Sequence, residues 1–149
     1  MLVKQAVFDT VRVEVLKRID TIQNAFDDIN TSLTSNTKSS AGDKHETGRA
    51  MAQLEQEKLS QQLNNSLELR NTLSKIDATS KHTTVQFGSL LETSIGFFYL
   101  SVGIGKIEHK SNQIFCISPV TPMGKALIGT SVGDTIQFNG KSIEILSVT

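Results

Sequence analysis

Asp43 and Glu46 stand three residues apart in a small polar stretch, "SSAGDKHETGRA", at residues 39–50. At the start of a helix, carboxylates with this spacing share one face. They can form a capping box, in which Asp43 accepts a hydrogen bond from the amide of Glu46 and Glu46 reaches back to the cap. They can equally bind one Mg²⁺, with further oxygen ligands from another macromolecule, because Mg²⁺ takes six. From the spacing alone, both interpretations stay open.

Other residue types that can do chemistry give weaker patterns. His45, His82 and His109 are scattered, without the spacing of a zinc site, and we expect solvated surface histidines. Cys116 lies in the apolar stretch "IFCIS", which favours a buried small side chain over a catalytic thiol. The sequence contains no Walker A, G-x-S-x-G or G-x-G-x-x-G motif. The second half of the chain therefore shows no active site of its own.

The composition excludes several classes of partner. The 149 residues carry 15 basic and 15 acidic side chains, so no net positive charge favours DNA or RNA. The first residues contain charges and no long apolar run, which argues against a signal peptide or membrane span. A single cysteine fits a reducing compartment. We expect a cytoplasmic monomer without membrane contact or sequence-specific DNA binding.

The first half of the chain has the period of amphipathic helices. Apolar residues recur at steps of three and four in two segments, which predicts two helices that cover each other. A polar turn between them indicates an antiparallel hairpin, a coiled coil over residues 1–78 with an acidic tip near 42–47. The apolar positions are Phe8, Val11, Val15, Ile19, Ile22, Phe26, Ile29 and Leu33, then Met51, Leu54, Leu59, Leu63, Leu67, Leu73 and Ile76.

The second half, residues 79–149, has β patterns. Strands are predicted within 85–94, 96–103 and 113–118, and Asn139-Gly140 predicts a type I′ hairpin turn near the end. Between them, Thr121 suits an N-cap, Pro122 the first helical position and Gly129 the position after the C-cap. The fold class is therefore α+β: a long helical hairpin followed by a small antiparallel sheet domain with one short helix.

Two stretches carry a resemblance to a known family. "GDKHET" is similar to the tip motif, and "ISPVTPMGKALIGTSVGD" at 117–134 is similar to a longer motif, of the bacterial Gre transcript cleavage factors. "VQFGSLLE" also resembles the first strand of their second domain. The resemblance, over essentially the whole chain, implies an N-terminal antiparallel coiled coil with an acidic tip and an FKBP-like C-terminal domain.

The resemblance implies a transcription elongation factor that docks at the rim of the secondary channel of RNA polymerase and inserts its coiled coil. Asp43 and Glu46 would then hold a Mg²⁺ shared with the polymerase active site, bound weakly by the isolated protein, near the 3′ end of backtracked RNA. The protein would stimulate the polymerase's own cleavage of RNA and would not itself be an enzyme. The implied docking residues are Ser118, Pro119, Thr121, Pro122, Met123 and Gly124.

Two alternatives remain open. After Glu46 the chain has Thr47, Gly48 and Arg49, where the family usually has an aromatic residue and a further acid. This departure favours a Gre-like regulator that enters the channel without stimulating cleavage. A peptidyl-prolyl isomerase is the third hypothesis, because the second domain resembles FKBP. One Tyr and no Trp argue against an aromatic-lined proline pocket.

Overall fold

A computed structural model describes residues 2–36 and 43–149. Its described elements are, in order, α1 (Lys4–Asn36), α2 (Asp43–Leu73), β1 (Leu90–Thr93), β2 (Gly96–Leu100), β3 (Gly105–His109), β4 (Asn112–Ile117), α3 (Pro122–Leu127), β5 (Thr135–Phe138) and β6 (Lys141–Val148). Neither long helix carries, within these residues, an apolar stretch that could cross a bilayer.

The chain forms two compact units. The hairpin unit is Val13–Arg70, and the sheet unit consists of the residues up to Arg12 together with Asn71–Thr149. The predicted domain boundary at 78 lies between the end of α2 and the start of β1. That boundary stays a prediction.

In the hairpin unit, α1 and α2 run antiparallel. Asn30, late in α1, hydrogen-bonds to Gln56, in the first half of α2. Glu14, early in α1, lines the same groove as Leu69, late in α2. Rising residue numbers in α1 therefore meet falling numbers in α2, and the predicted helical hairpin is confirmed.

The burial of side chains in the hairpin unit shows which of the apolar positions predicted to lie between the two helices are correct. All the predicted apolar positions of α1 in this unit are buried or half-buried, and on α2 so are Leu59, Leu63 and Leu67. Met51 and Leu54, also predicted for the seam, are instead 67% and 66% exposed. Near them, the half-buried stripe of α2 passes through Ala52 and Gln56. The prediction failed there because a polar residue occupies the seam.

The sheet unit holds a six-stranded sheet in the order β3-β4-β2-β1-β6-β5. Every neighbouring pair is antiparallel except β2 and β4, which run parallel. The sheet is thus mixed. The sequence predicted a wholly antiparallel sheet, and this part of the prediction was wrong. The reason is β3, which the sequence patterns missed: it pairs on the outer side of β4, so β4 lies between β2 and β3.

Each face of this sheet packs against a helical segment. On one face, α3 contributes Leu127 to a buried core; its other members are Val85, Leu91, Phe98, Leu100 and Ile145. On the opposite face, Tyr99 of β2 and Cys116 of β4 are cross-strand neighbours and fully or almost fully buried. The first turns of α1 contact this second face, because the hydroxyl of Thr10 lies 2.8 Å from Nδ1 of His109 in β3. Val7 and Val11, in the same turns, are fully buried.

Candidate functional site

The predicted tip includes the first described residues of α2. The described part of this helix runs from Asp43, and Glu46 lies exposed one turn further along its backbone. The side chain of Asp43 and the segment 37–42 lie outside the described residues. The capping box and the joint binding of Mg²⁺ therefore stay predictions.

Metal-ligating residue types do not cluster elsewhere in the described part of the chain. No group of three or more His, Cys, Asp or Glu side chains lies there in an arrangement that could hold a metal ion. Carboxylate oxygens such as those of Asp43 and Glu46 are the donors that Mg²⁺ prefers, but two of them leave most of its coordination sphere open. An ion shared with a partner therefore stays a prediction for the tip.

The predicted docking segment, residues 118–124, is a loop that enters α3. Thr121 has the extended backbone of an N-cap, with φ −72° and ψ 159°, and its hydroxyl accepts a hydrogen bond of 3.1 Å from the amide of Gly124. The same hydroxyl donates to the carbonyl of Ser118 at 2.7 Å. Pro122 is the first helical residue, and Gly129 follows the C-cap at φ +86°. The predicted helix and both its ends are confirmed.

Within this segment the side chains divide into packed and exposed ones. Gly124 is buried, and Met123 is half-buried against the core of the sheet unit. Pro122 is exposed, and the neighbouring Val120 is 74% exposed. A buried Gly and a half-buried Met indicate packing, whereas an exposed Pro and Val are available to a partner.

Three exposed apolar residues in and beside this segment were not among the predicted docking residues. They are Val120, Ile128 and Val132. All three lie within the motif at 117–134, but only the structure, through their exposure, distinguishes them from buried neighbours such as Leu127. Each is a single apolar side chain, a common feature of protein surfaces.

Two histidines were predicted to be solvated surface residues, and for both the prediction was wrong. Nδ1 of His82 lies 2.7 Å from the hydroxyl of Ser89, and Nδ1 of His109 lies 2.8 Å from the hydroxyl of Thr10. Both imidazoles are half-buried. Burial lowers the pKa of His82, and the positive charge of Lys4 lowers it further. The prediction failed for His109 because β3, which ends at this residue, places it opposite α1. The side chain of His45 lies outside the described residues.

The single cysteine is buried as predicted. Cys116 is 1% exposed, and burial raises the pKa of its thiol to about 12. Its neighbour Tyr99 is fully buried, and the pKa of its hydroxyl is raised by burial and then by Cys116 and Asp9. A thiol held protonated in this way is a poor nucleophile at neutral pH.

Comparison with known proteins gives only distant likenesses. No protein-family model matches the chain, and no curated protein matches it. A solved structure of the transcription factor Gfh1 aligns over 92% of this chain and 92% of its own, with 19% identity and a TM-score of 0.37. Gfh1 of Thermus aquaticus aligns over 91% of each chain, with 17% identity and a TM-score of 0.34. At these identities and TM-scores, the likeness alone does not indicate a shared function.

Proposed function

We propose that this protein is a Gre-like accessory factor that binds RNA polymerase at the rim of its secondary channel and stimulates Mg²⁺-dependent cleavage of backtracked RNA. The observation that carries the proposal is that Asp43 and Glu46 lie one turn apart on α2, which runs antiparallel to α1. The tip motif therefore belongs to the returning helix of the hairpin, in its first described turn.

The docking role belongs to the segment 118–124 in this proposal. Thr121 joins the loop to α3 through two hydrogen bonds, so the segment keeps one conformation before binding. A preorganised surface loses little conformational entropy when it docks. Pro122 and Val120 supply exposed apolar contacts, while Met123 and Gly124 hold the segment against the sheet unit.

The chemical role belongs to Asp43 and Glu46. Their carboxylates would hold a Mg²⁺ whose remaining ligands come from the polymerase and the RNA. Beside the polymerase's own Mg²⁺, such an ion would help to stabilise charge on the attacking and leaving oxygens during hydrolysis of the phosphodiester. The two residues of this chain would position the ion and orient a water by hydrogen bonding. The nuclease chemistry remains that of the polymerase.

A backtracked elongation complex of a bacterial RNA polymerase tests the proposal. With Mg²⁺ and this protein, we expect faster release of short 3′ RNA fragments. Asp43→Asn and Glu46→Gln should each reduce this stimulation at least tenfold, about 1.4 kcal/mol in the barrier, while binding to the polymerase stays unchanged. Glu55→Gln, at an exposed carboxylate further along α2, is the matched control and should keep full stimulation.

A factor that regulates the polymerase without cleavage is the second candidate. Arg49 is exposed and follows Glu46 by three residues on α2, so the two side chains share a face. A nearby positive charge disfavours binding of a second cation. If the protein binds polymerase and leaves backtracked RNA uncut, this second function replaces the first. Arg49→Ala should then restore some cleavage if the charge of Arg49 is the cause.

The docking surface needs its own test. Pro122→Ala and Val120→Ser should weaken binding to the polymerase, because both remove exposed apolar contact. Leu146→Ser, at an apolar residue of β6 that is 45% exposed, is the control and should leave binding unchanged. A protein that shows no binding to polymerase at all would contradict the proposed function.

A further inference from the structure

A cavity in the sheet unit has no part in the proposed function. Its volume is about 300 Å³, at the lower end for small-ligand sites. It lies between the first described residue of the chain and the face of the sheet formed by β1, β2 and β6. The lining includes Leu2, Leu90, Glu92, Phe97, Ser147 and Thr149.

Strand register places a carboxylate and an aromatic ring together at this cavity. Glu92 of β1 lies directly opposite Phe97 of β2, and Ser147 of β6 lies opposite Glu92 on its other side. Side chains at directly opposite positions project from the same face of a sheet. The floor of the cavity therefore carries a negative charge beside the face or edge of a ring.

The charge of Glu92 is not compensated within the described structure. Its side chain is half-buried, and no described residue donates a hydrogen bond or forms an ion pair with its carboxylate. Among the described residues, no Lys, Arg or His side chain lines the cavity. A half-buried carboxylate that no described residue pairs with favours a cation from outside the described structure.

We propose that this cavity binds a primary alkylammonium group. The ammonium donates to the carboxylate of Glu92 and lies over the face of the Phe97 ring, the part of the ring that attracts cations through its quadrupole. The alkyl stem packs on Leu2 and Leu90, in the way that a lysine stem covers apolar surface while its charged end stays polar. Ser147 offers a further acceptor. The same chemistry is found in a free aliphatic amine and in a lysine side chain of a partner.

The test is a titration of the full ¹⁵N-labelled chain with pentylamine at neutral pH, followed by its amide spectrum. We expect shifts at Glu92, Phe97 and Ser147. Pentanol, which has the same stem without the charge, should bind at least tenfold more weakly. Glu92→Gln should weaken the affinity for pentylamine at least tenfold, which corresponds to about 1.4 kcal/mol of binding free energy. Glu108→Gln, at an exposed carboxylate of β3, is the matched control and should bind pentylamine as the wild type does.

A second ligand and a second variant complete the test. Nα-acetyl-lysine methylamide that binds more tightly than pentylamine identifies a lysine side chain as the ligand, and the reverse order identifies a free amine. Phe97→Leu keeps an apolar wall without a ring and should also weaken the binding of pentylamine. This second variant keeps the proposal testable if Glu92→Gln does not fold. Equal binding of pentanol, unchanged binding in both variants, shifts confined to other residues, or no shifts at millimolar pentylamine would each overturn the proposal. None of these outcomes depends on binding to a polymerase.

Discussion

The backbone of Gly124, in the first turn of α3, lies directly against the carbonyl oxygen of Ser118. A Cβ at Gly124 would overlap that oxygen and stand 3.0 Å from two backbone atoms of Pro119. Thr121 joins the same two residues, because its hydroxyl donates to Ser118 and accepts from the amide of Gly124. The smallest residue and one hydroxyl thus fix the shape of the segment that we propose as a docking surface.

Gly124→Ala should therefore destabilise the protein. The added methyl group cannot be accommodated by a side-chain rotation, because its nearest neighbours are backbone atoms. Forcing an extra carbon into a packed site typically costs about 1–3 kcal/mol. The free energy of unfolding, measured by urea denaturation followed by circular dichroism, checks the loss.

Gly48→Ala is the matched control for this change. Gly48 lies within α2, and a Cβ there would meet nothing within 4 Å. The substitution should stabilise the helix by roughly 0.5–1 kcal/mol, because Ala loses less conformational entropy than Gly. A Gly124→Ala variant as stable as wild type would contradict the close contact with Ser118.

Local chemistry explains what the sequence predicted correctly. The ends of α3 follow from Thr121, Pro122 and Gly129, each of which suits its position through its own geometry. Asn139 and Gly140 both have positive φ, 50° and 77°, as the predicted type I′ turn requires. The helical hairpin follows from apolar spacing over many turns. These signals act between near neighbours in the chain.

Long-range pairing explains what the sequence did not reveal. Strand β3, "GKIEH", lies at the edge of the sheet and buries only Ile107, so its apolar pattern is almost absent. Without β3, the parallel pairing of β2 with β4 and the contact of His109 with Thr10 could not be predicted. The Glu92 cavity likewise depends on three strands that meet only in the fold.

Cys116 should make the protein sensitive to alkaline pH. Burial raises the pKa of its thiol from 9.0 to about 12, so the folded state holds this proton more tightly than the unfolded state. The stability from this group is fully present below pH 9.0 and is lost as the pH rises toward about 12. The slope contributed is at most about 1.4 kcal/mol per pH unit.

Cys116→Ala tests this contribution by difference. Its free energy of unfolding should fall less steeply than that of wild type above pH 9.0, while Lys4 titrates in both proteins and cancels. The variant also loses the part of the raised pKa of Tyr99 that comes from Cys116, and this loss flattens the profile in the same direction. The wild-type thiol should also react slowly with iodoacetamide until the chain unfolds. Parallel pH profiles for the two proteins would contradict the raised pKa.

His82 should have the opposite effect at acid pH. Burial and the charge of Lys4 lower its pKa from 6.5, so the folded state disfavours the imidazolium. The stability from a neutral His82 is present above pH 6.5 and is lost as the pH falls through the lowered pKa. We expect the thermal unfolding temperature of wild type to decrease as the pH is lowered from 6.5.

His82→Gln should flatten that part of the pH profile, because Gln carries no proton to titrate. Asp77, whose pKa is lowered chiefly by its hydrogen bond with Thr79, destabilises both proteins at still lower pH. His109→Gln, which removes a second half-buried imidazole, is the variant with which His82→Gln is compared. An unchanged acid slope in His82→Gln would show that the imidazole titrates freely in the folded state.

Asn30 and Gln56 should be energetically coupled. The amide of Gln56 donates to the side-chain oxygen of Asn30 across the hairpin seam, and both residues are half-buried. Asn30→Leu or Gln56→Leu alone leaves one amide facing an apolar neighbour, which should cost about 1 kcal/mol or more. Replacing both should recover most of the loss, because two Leu side chains pack together without an unsatisfied group.

A double-mutant cycle of unfolding free energies measures this coupling, which we expect to be at least about 0.5 kcal/mol. Polar pairs in a coiled-coil seam also specify register. If this pair does so, the double Leu variant should be stable yet give more than one set of amide resonances for the hairpin. Because the register sets which part of α1 lies beside the start of α2, that variant should also stimulate RNA cleavage less. Additive single effects with one clean set of resonances would show that the pair contributes neither coupling nor register.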